Sequence, residues 1–467
     1  MVDAYLSATD ALRAFRDGTL SPVDLTRALI ARAEATETLN AFSFTHFDAA
    51  LSQARAAEAR WRAGTARALE GFCVAIKDSG NVAGQPTSMG SLTASDAPQT
   101  STSPVNDHVL AAGAICHART ATPEFSCAAV THSRRWGVTR NPWDPALTPG
   151  GSSGGAGVAL ATGAATLATG SDIGGSIRIP ASCCGVVGYK PPRGRNPVDP
   201  PFNLDPYCHT GPLARSVSDA ALLQDVMCGP HPGDPQALAP AHRLSLAGGI
   251  QGWRIGYSLD LNLGPIDDIV RHRTLAALDV FRDLGATVSE IALPWQGVTE
   301  AALDHLRTIF AGSLAVELRD QPDRLTPYAR RFAQEGAALP LHRYYDALDT
   351  AARAASDFGQ AIDGFDLFLC PTTAVPAIAA DHDQSRDTLR IGGAVVDPML
   401  GWVLTHPFNM LSSHPVLSVP TGHAPCPTGL QIVGRPWRDD DVFCAGLAYE
   451  TALGGWFAPD ARPPDPS

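Results

Sequence analysis

The chain has 467 residues, of which 45% are hydrophobic, 18% charged and 7% aromatic. An ordinary globular apolar share excludes global disorder, and one domain per ~150 residues allows about three units. The net charge of −12, with Arg134-Arg135 and Arg330-Arg331 as isolated basic pairs, excludes a phosphate-backbone partner, so no nucleic acid is expected.

Residues 1–20 lack the basic start and apolar core of a signal peptide. The longest uncharged stretch, Pro145 to Ser171, is dominated by Gly, Ser, Thr and Ala, which excludes a spanning helix and predicts no membrane partner. Ten cysteines without a C-x-x-C pair read as reduced thiols, and the adjacent Cys183-Cys184 is a poor zinc spacing. A cytoplasmic, metal-free protein is expected.

In chain order, Ser21-Pro22-Val23-Asp24 supplies an N-cap, a proline at the first helical position and an early acid, which predicts a helix to about Thr36. A second helix is predicted over Phe47 to Ala63. Phe72 to Ile76 reads as a buried strand delivering Lys77 at its end, and Gly113 to Ala118 as another strand. After Pro142, Pro145 and Pro149 comes the run Gly150-Gly-Ser-Ser-Gly-Gly155, then a helix of small residues predicted over Ala156 to Thr169. Further helices are predicted at about 267–284, 299–317 and 340–362, with short strands at Asp366–Cys370 and Val416–Val419. Helices and strands interleave throughout, so the class is α/β.

Three features could carry chemistry. Gly150–Gly155 matches the nucleophile-elbow pattern at Ser152 and Ser153, but the preceding prolines oppose the strand that an elbow needs, so the elbow fails on context. In Gly170-Ser-Asp-Ile-Gly-Gly-Ser-Ile-Arg-Ile-Pro180, glycines can expose successive N–H groups beside a serine hydroxyl, the arrangement that acyl transfer requires. Lys77 could serve as a base only if desolvation or a positive neighbour lowers its pKa, because about one lysine in 2,500 is neutral at pH 7 with a reference value of ~10.4. There is no H-E-x-x-H, phosphate loop or dinucleotide fingerprint. His406, His414 and His423 read as packing or loop residues.

In this order and spacing the features resemble the amidase signature family. The resemblance is carried by Asn141-Pro-Trp-Asp-Pro, Thr148–Gly155, Gly170–Pro180 and Cys184-Gly-Val-Val-Gly-Tyr-Lys-Pro191. It extends through Leu69–Asp78, Ala121-Thr-Pro-Glu-Phe125, Gly211–Asp219, Pro407–Pro415, Val419-Pro-Thr-Gly422 and Gly429–Pro436. Ser171 stands where the family often has Thr. Pro427-Thr-Gly-Leu-Gln431 departs from its Leu-Pro-x-Gly-Leu-Gln run.

The resemblance implies one α/β domain over 1–457, with N-terminal helices in 5–63 and a large twisted mixed sheet wrapped by helices in 64–457, while four prolines in the last ten residues predict a flexible tail at 458–467. It implies a Ser–cisSer–Lys triad in which Ser176 is the nucleophile, Lys77 the base and Ser152 the bridge, with a cis bond between Gly151 and Ser152. The oxyanion hole falls on the N–H groups of Ile173, Gly174, Gly175 and Ser176, with Ser153, Ser171, Asp172 and Arg178 in support. Phe202, Tyr207, Phe310, Tyr344, Trp402 and Phe408 are candidate pocket residues. The implied activity is hydrolysis of small apolar or aryl amides through an acyl-enzyme, with no cofactor and with a homodimer allowed. Carbamates (urethanes) or esters are the alternative substrates, and a non-catalytic or glutamine amidotransferase-type subunit is the alternative class. No Arg-Tyr-Asp-Gly segment follows residue 300, which weakens the amidotransferase reading.

Overall fold

Ser21 caps Val23 N–H and starts the helix Pro22–Ala35, as its sequence pattern predicts. Ser7 does the same on Asp10 for Ala8–Arg16. Each such cap is worth ~1 kcal/mol because it satisfies an otherwise orphaned N–H. The computed structural model of the chain describes residues 2–423 and 425–465.

Among the described residues, eleven strands form one mixed sheet surrounded by helices. Their spatial order is Phe42–Thr45, Ile115–Thr120, Cys73–Lys77, Leu167–Asp172, His209–Ala214, Val187–Lys190, Val416–Gly422, Thr428–Gly434, Leu367–Pro371, Arg254–Tyr257 and Thr287–Glu290. Cys73–Lys77 runs parallel to both its neighbours, and its register with the next strand pairs Ile76 with Thr169. Lys77, Ser171 and Asp172 are thereby delivered together at the carboxyl ends of adjacent parallel strands. In α/β sheets ligands bind at such ends.

The run of small residues does not stay helical to Thr169. The helix is Gly154–Ala161, and Leu167–Asp172 is a central strand. Gly163, at φ +73°, ends the helix in the left-handed region that glycine tolerates best. Every residue of Gly154–Ala161 is buried, and it packs against the helix Arg178–Cys184. A Cβ on Gly157 would lie 2.8 Å from Cys184 Sγ, so the absence of a side chain sets the approach of the two helices.

In the second half, the helix predicted to reach 317 ends at Ser313, and a separate helix follows over Ala315–Asp320. Leu314 between them leaves helical geometry, with φ −104° and ψ 11°. Val298–Ser313 packs on Pro327–Ala338 and Leu341–Ala361, and presents Leu306 and Phe310, one turn apart, towards the strand ends. From Ala458 the chain forms a short turn over Pro459–Ala461, and the Arg462 guanidinium lies 4.1 Å from the Tyr5 ring centre. No helix among the described residues is long and apolar enough to cross a membrane.

Candidate active site

Every side chain of the strand Cys73–Lys77 is buried, and Lys77 itself is 2% exposed. Its Nζ donates to Ser152 Oγ at 2.6 Å and to Ser171 Oγ at 2.9 Å. Burial lowers its pKa from 10.5 to about 7, with the Asp172 charge acting in the opposite direction. Ser152 lies in the glycine-rich loop, and the peptide bond that precedes it from Gly151 is cis.

The loop carrying Ser176 is tied to that of Ser152, since Ser153 N–H donates to the Ser176 carbonyl at 3.1 Å. Ser153 Oγ reaches the Ser171 carbonyl at 3.5 Å and not a histidine, which removes the partner that an elbow nucleophile would need. Burial also keeps the imidazoles of His406 and His414 neutral, with pKa values lowered to about 3 and about 4.

Asp172 organises the turn between its strand and the helix Arg178–Cys184. Its Oδ1 accepts from Gly175 N–H at 2.8 Å and from Asn409 Nδ2 at 2.8 Å, and its Oδ2 accepts from Ile177 N–H at 3.2 Å. Burial alone would raise this carboxyl. The Arg178 guanidinium and the Asn409 amide hold it well below the usual carboxylate range.

One of the four predicted oxyanion donors is therefore committed elsewhere. Gly175 N–H faces Asp172, because a carboxylate inside the turn captures the donor that points inward. Among the described residues no backbone carbonyl accepts from Ile173, Gly174 or Ser176 N–H. Gly175 sits at φ +127°, where a Cβ would collide with the Thr405 hydroxyl, and that hydroxyl donates to the Gly174 carbonyl at 2.6 Å.

Two cavities flank this constellation. The larger, about 820 Å³ counted to its open mouth, is bounded by Lys77, Ser171 and Ile173 and by Phe125, Phe202 and Phe310. The smaller, about 310 Å³, contains Ser176 and the apolar side chains of Ile179, Leu306 and Leu400. Of the six candidate pocket aromatics, Phe202 and Phe310 line the larger cavity, Phe310 borders the smaller one as well, and the other four line neither. Tyr207 stacks on His305 with ring centres 3.8 Å apart, and Tyr344 lies against the same imidazole. Trp402 is wholly buried, and Phe408 packs among Trp295, Phe358 and Phe368. Aromatic residue type does not separate core from pocket, since both reward buried area.

Sequence motifs do not single out Thr405, Asn409 and Gln431, although all three hold the Asp172–Arg178 unit. Arg178 donates to the Thr405 carbonyl at 2.9 Å, to Gln431 Oε1 at 2.7 Å and to Asn409 Oδ1 at 2.7 Å. Their one signal is proximity to, or membership of, the Pro-Phe-Asn and Gly-Leu-Gln segments. Among the described residues no cluster of His, Cys, Asp and Glu has the geometry to hold a metal ion.

The Amidase family pattern matches residues 24–443. A glutamyl-tRNA(Gln) amidotransferase subunit of Chloroflexus aurantiacus is 33% identical over 483 residues, covering 96% of both chains. An acylamidase of Rhodococcus erythropolis is 31% identical over 486 residues, covering 99% of this chain and 98% of its own. The crystal structure of a bacterial aryl acylamidase of the amidase signature (AS) enzymes superposes with a TM-score of 0.90 at 27% identity, covering 96% of each chain. With one family pattern running through the whole sheet and relatives above 30% identity nearly end to end, the chain belongs to the amidase signature family and is a hydrolase of amides.

Proposed function

We propose that the protein hydrolyses small aryl or alkyl amides through an acyl-enzyme formed on Ser176, with Lys77 as base and Ser152 as the bridge between them. The observation that carries this reading is the 2.6 Å contact between Ser152 Oγ and a buried lysine whose pKa is lowered to about 7. A neutral amine at that position takes a proton from Ser152 while Ser152 takes one from Ser176, and the resulting alkoxide attacks the carbonyl carbon. The Ile173, Gly174 and Ser176 N–H groups stabilise the tetrahedral oxyanion. Donors of this kind are worth roughly 3–4 kcal/mol each in comparable sites. The protons return along the same path to the departing nitrogen as the C–N bond breaks. Water, deprotonated by the same relay, then cleaves the ester to Ser176 and releases the acid.

Apolar walls around Ser176 and the aromatic rim of Phe125, Phe202 and Phe310 favour flat or aliphatic substrates over free glutamine. The likeness to an acylamidase and an aryl acylamidase supports the same choice. The 33% identity to an amidotransferase subunit favours a second reading, in which glutamine is the amide donor. Turnover of one aryl group presented as acetanilide, carbamate and ester, with free glutamine alongside, tests the proposal. Anilide hydrolysis is expected. Glutamine turnover with no anilide or carbamate hydrolysis overturns it.

A further inference from the structure

Ser176 and Lys77 face different cavities. Ser176 borders the small apolar one, and Lys77 borders the large one. With Ser176 as nucleophile and Lys77 as base, the reading on which this inference rests, that split orients the substrate. The departing nitrogen receives its proton from the Lys77–Ser152 side, so the amine half faces the large cavity and the acyl half the small one.

The large cavity is not uniformly apolar. Among walls that include Val105, Phe125 and Phe202 stands Asp199, with the Ser103 hydroxyl beside its carboxyl group. Among the described residues no Lys or Arg forms an ion pair with it. The ionisable groups that reach it are Asp234, which raises its pKa, and His231, which acts in the opposite direction. Asp234 is itself occupied by Val198 N–H at 2.8 Å and Asn203 Nδ2 at 3.0 Å. Of the other ionisable groups lining this cavity, Lys77 donates to Ser152 and Ser171, Asp172 is bound to Arg178, burial raises the Cys208 thiol well above its ordinary pKa, and burial keeps His209 neutral, with its pKa lowered to about 3. Burial raises the Asp199 pKa, as befits a carboxylate without a counter-ion. A half-buried carboxylate in an apolar wall carries a desolvation cost that a bound cation relieves.

We propose that Asp199 is a specificity-determining residue that pairs with a protonated amine carried on the leaving-group half of the substrate. The preferred substrates are then amides of diamines, cleaved so that the ammonium-bearing half departs through the large cavity.

The test uses three acetanilides on the full-length protein, with para-aminomethyl, para-ethyl and para-carboxymethyl substituents. The wild type is expected to favour the aminomethyl compound in kcat/KM. Asp199→Asn is expected to lower that value about tenfold, equivalent to ~1.4 kcal/mol, to leave the ethyl compound within about twofold, and to improve the carboxymethyl one. Equal wild-type rates for the aminomethyl and ethyl compounds overturn the inference, as does a uniform effect of Asp199→Asn on all three. Should the variant fail to fold, the wild-type series alone decides. Absence of hydrolysis of all three anilides sinks the underlying reading. Calorimetric binding of 4-aminomethylaniline against 4-ethylaniline then judges Asp199 separately, and equal affinities overturn its role.

Discussion

The Asp172 carboxylate and the Arg178 guanidinium form a two-pronged ion pair, 2.9 and 3.0 Å long, in which neither side chain has any exposed surface. From this pair, hydrogen bonds run to Gly175, Ile177, Thr405, Asn409 and Gln431. The turn bearing Ser176 is thereby bolted to segments more than 200 residues away. Removing one partner leaves an uncompensated buried charge. Arg178→Ala is expected to cost about 3–5 kcal/mol in urea unfolding and to abolish turnover. A loss below about 1 kcal/mol would show that the pair is dispensable to the fold.

Activity should depend on pH through Lys77. In the proposed relay the neutral amine is the working form, and burial lowers its pKa to about 7. The acid limb of kcat/KM should therefore rise through about 7 and level off above it. Between about 7 and 10.5 the unfolded chain holds a proton that the folded chain has released, so this group makes stability increase with pH across that window. Lys77→Met should remove that increment and the activity together. A profile already flat from pH 5 to 9 contradicts the assignment.

The proposed relay predicts non-additivity. Ser176→Ala and Lys77→Ala should each reduce turnover to background, and the double variant should be no worse than either. Ser152→Ala should retain a small residue if a water replaces the bridging hydroxyl. A serine-directed fluorophosphonate with peptide mapping should label Ser176. Label at Ser153 instead, or near-normal rates for Ser176→Ala, would end this reading.

Gly175 is at once sterically and conformationally confined. Gly175→Ala places a Cβ against the Thr405 hydroxyl at φ +127°. Strain of roughly 1–3 kcal/mol should appear as a lowered thermal midpoint, and displacement of the neighbouring Ser176 should lower kcat more than it changes KM. A wild-type kcat in this variant would mean that the turn can shift without moving the proposed nucleophile, Ser176.

Short-range chemistry made part of this molecule legible in its sequence. Ser21-Pro22 opens a helix because a cap hydroxyl and a fixed φ act within one turn. The apolar run before Lys77 is a buried strand because β-branched residues suit it. The Gly-rich runs around Ser152 and Ser176, together with the surrounding motifs, pointed to the family that the whole-chain match bears out. The end of the small-residue helix was harder to read, since Ala and Thr fit either state and only Gly163 marked the break. Tertiary structure alone decided the rest. Lys77 and Ser152 are 75 residues apart in the chain, and their contact, like the burial that depresses the lysine, exists only once the sheet and the glycine loop have assembled. The capture of Gly175 N–H by Asp172 and the split between pocket and core aromatics are likewise invisible locally. A residue's type states what it can do, and its neighbours in space, drawn from distant segments, determine its charge, its free donors and the surface it faces.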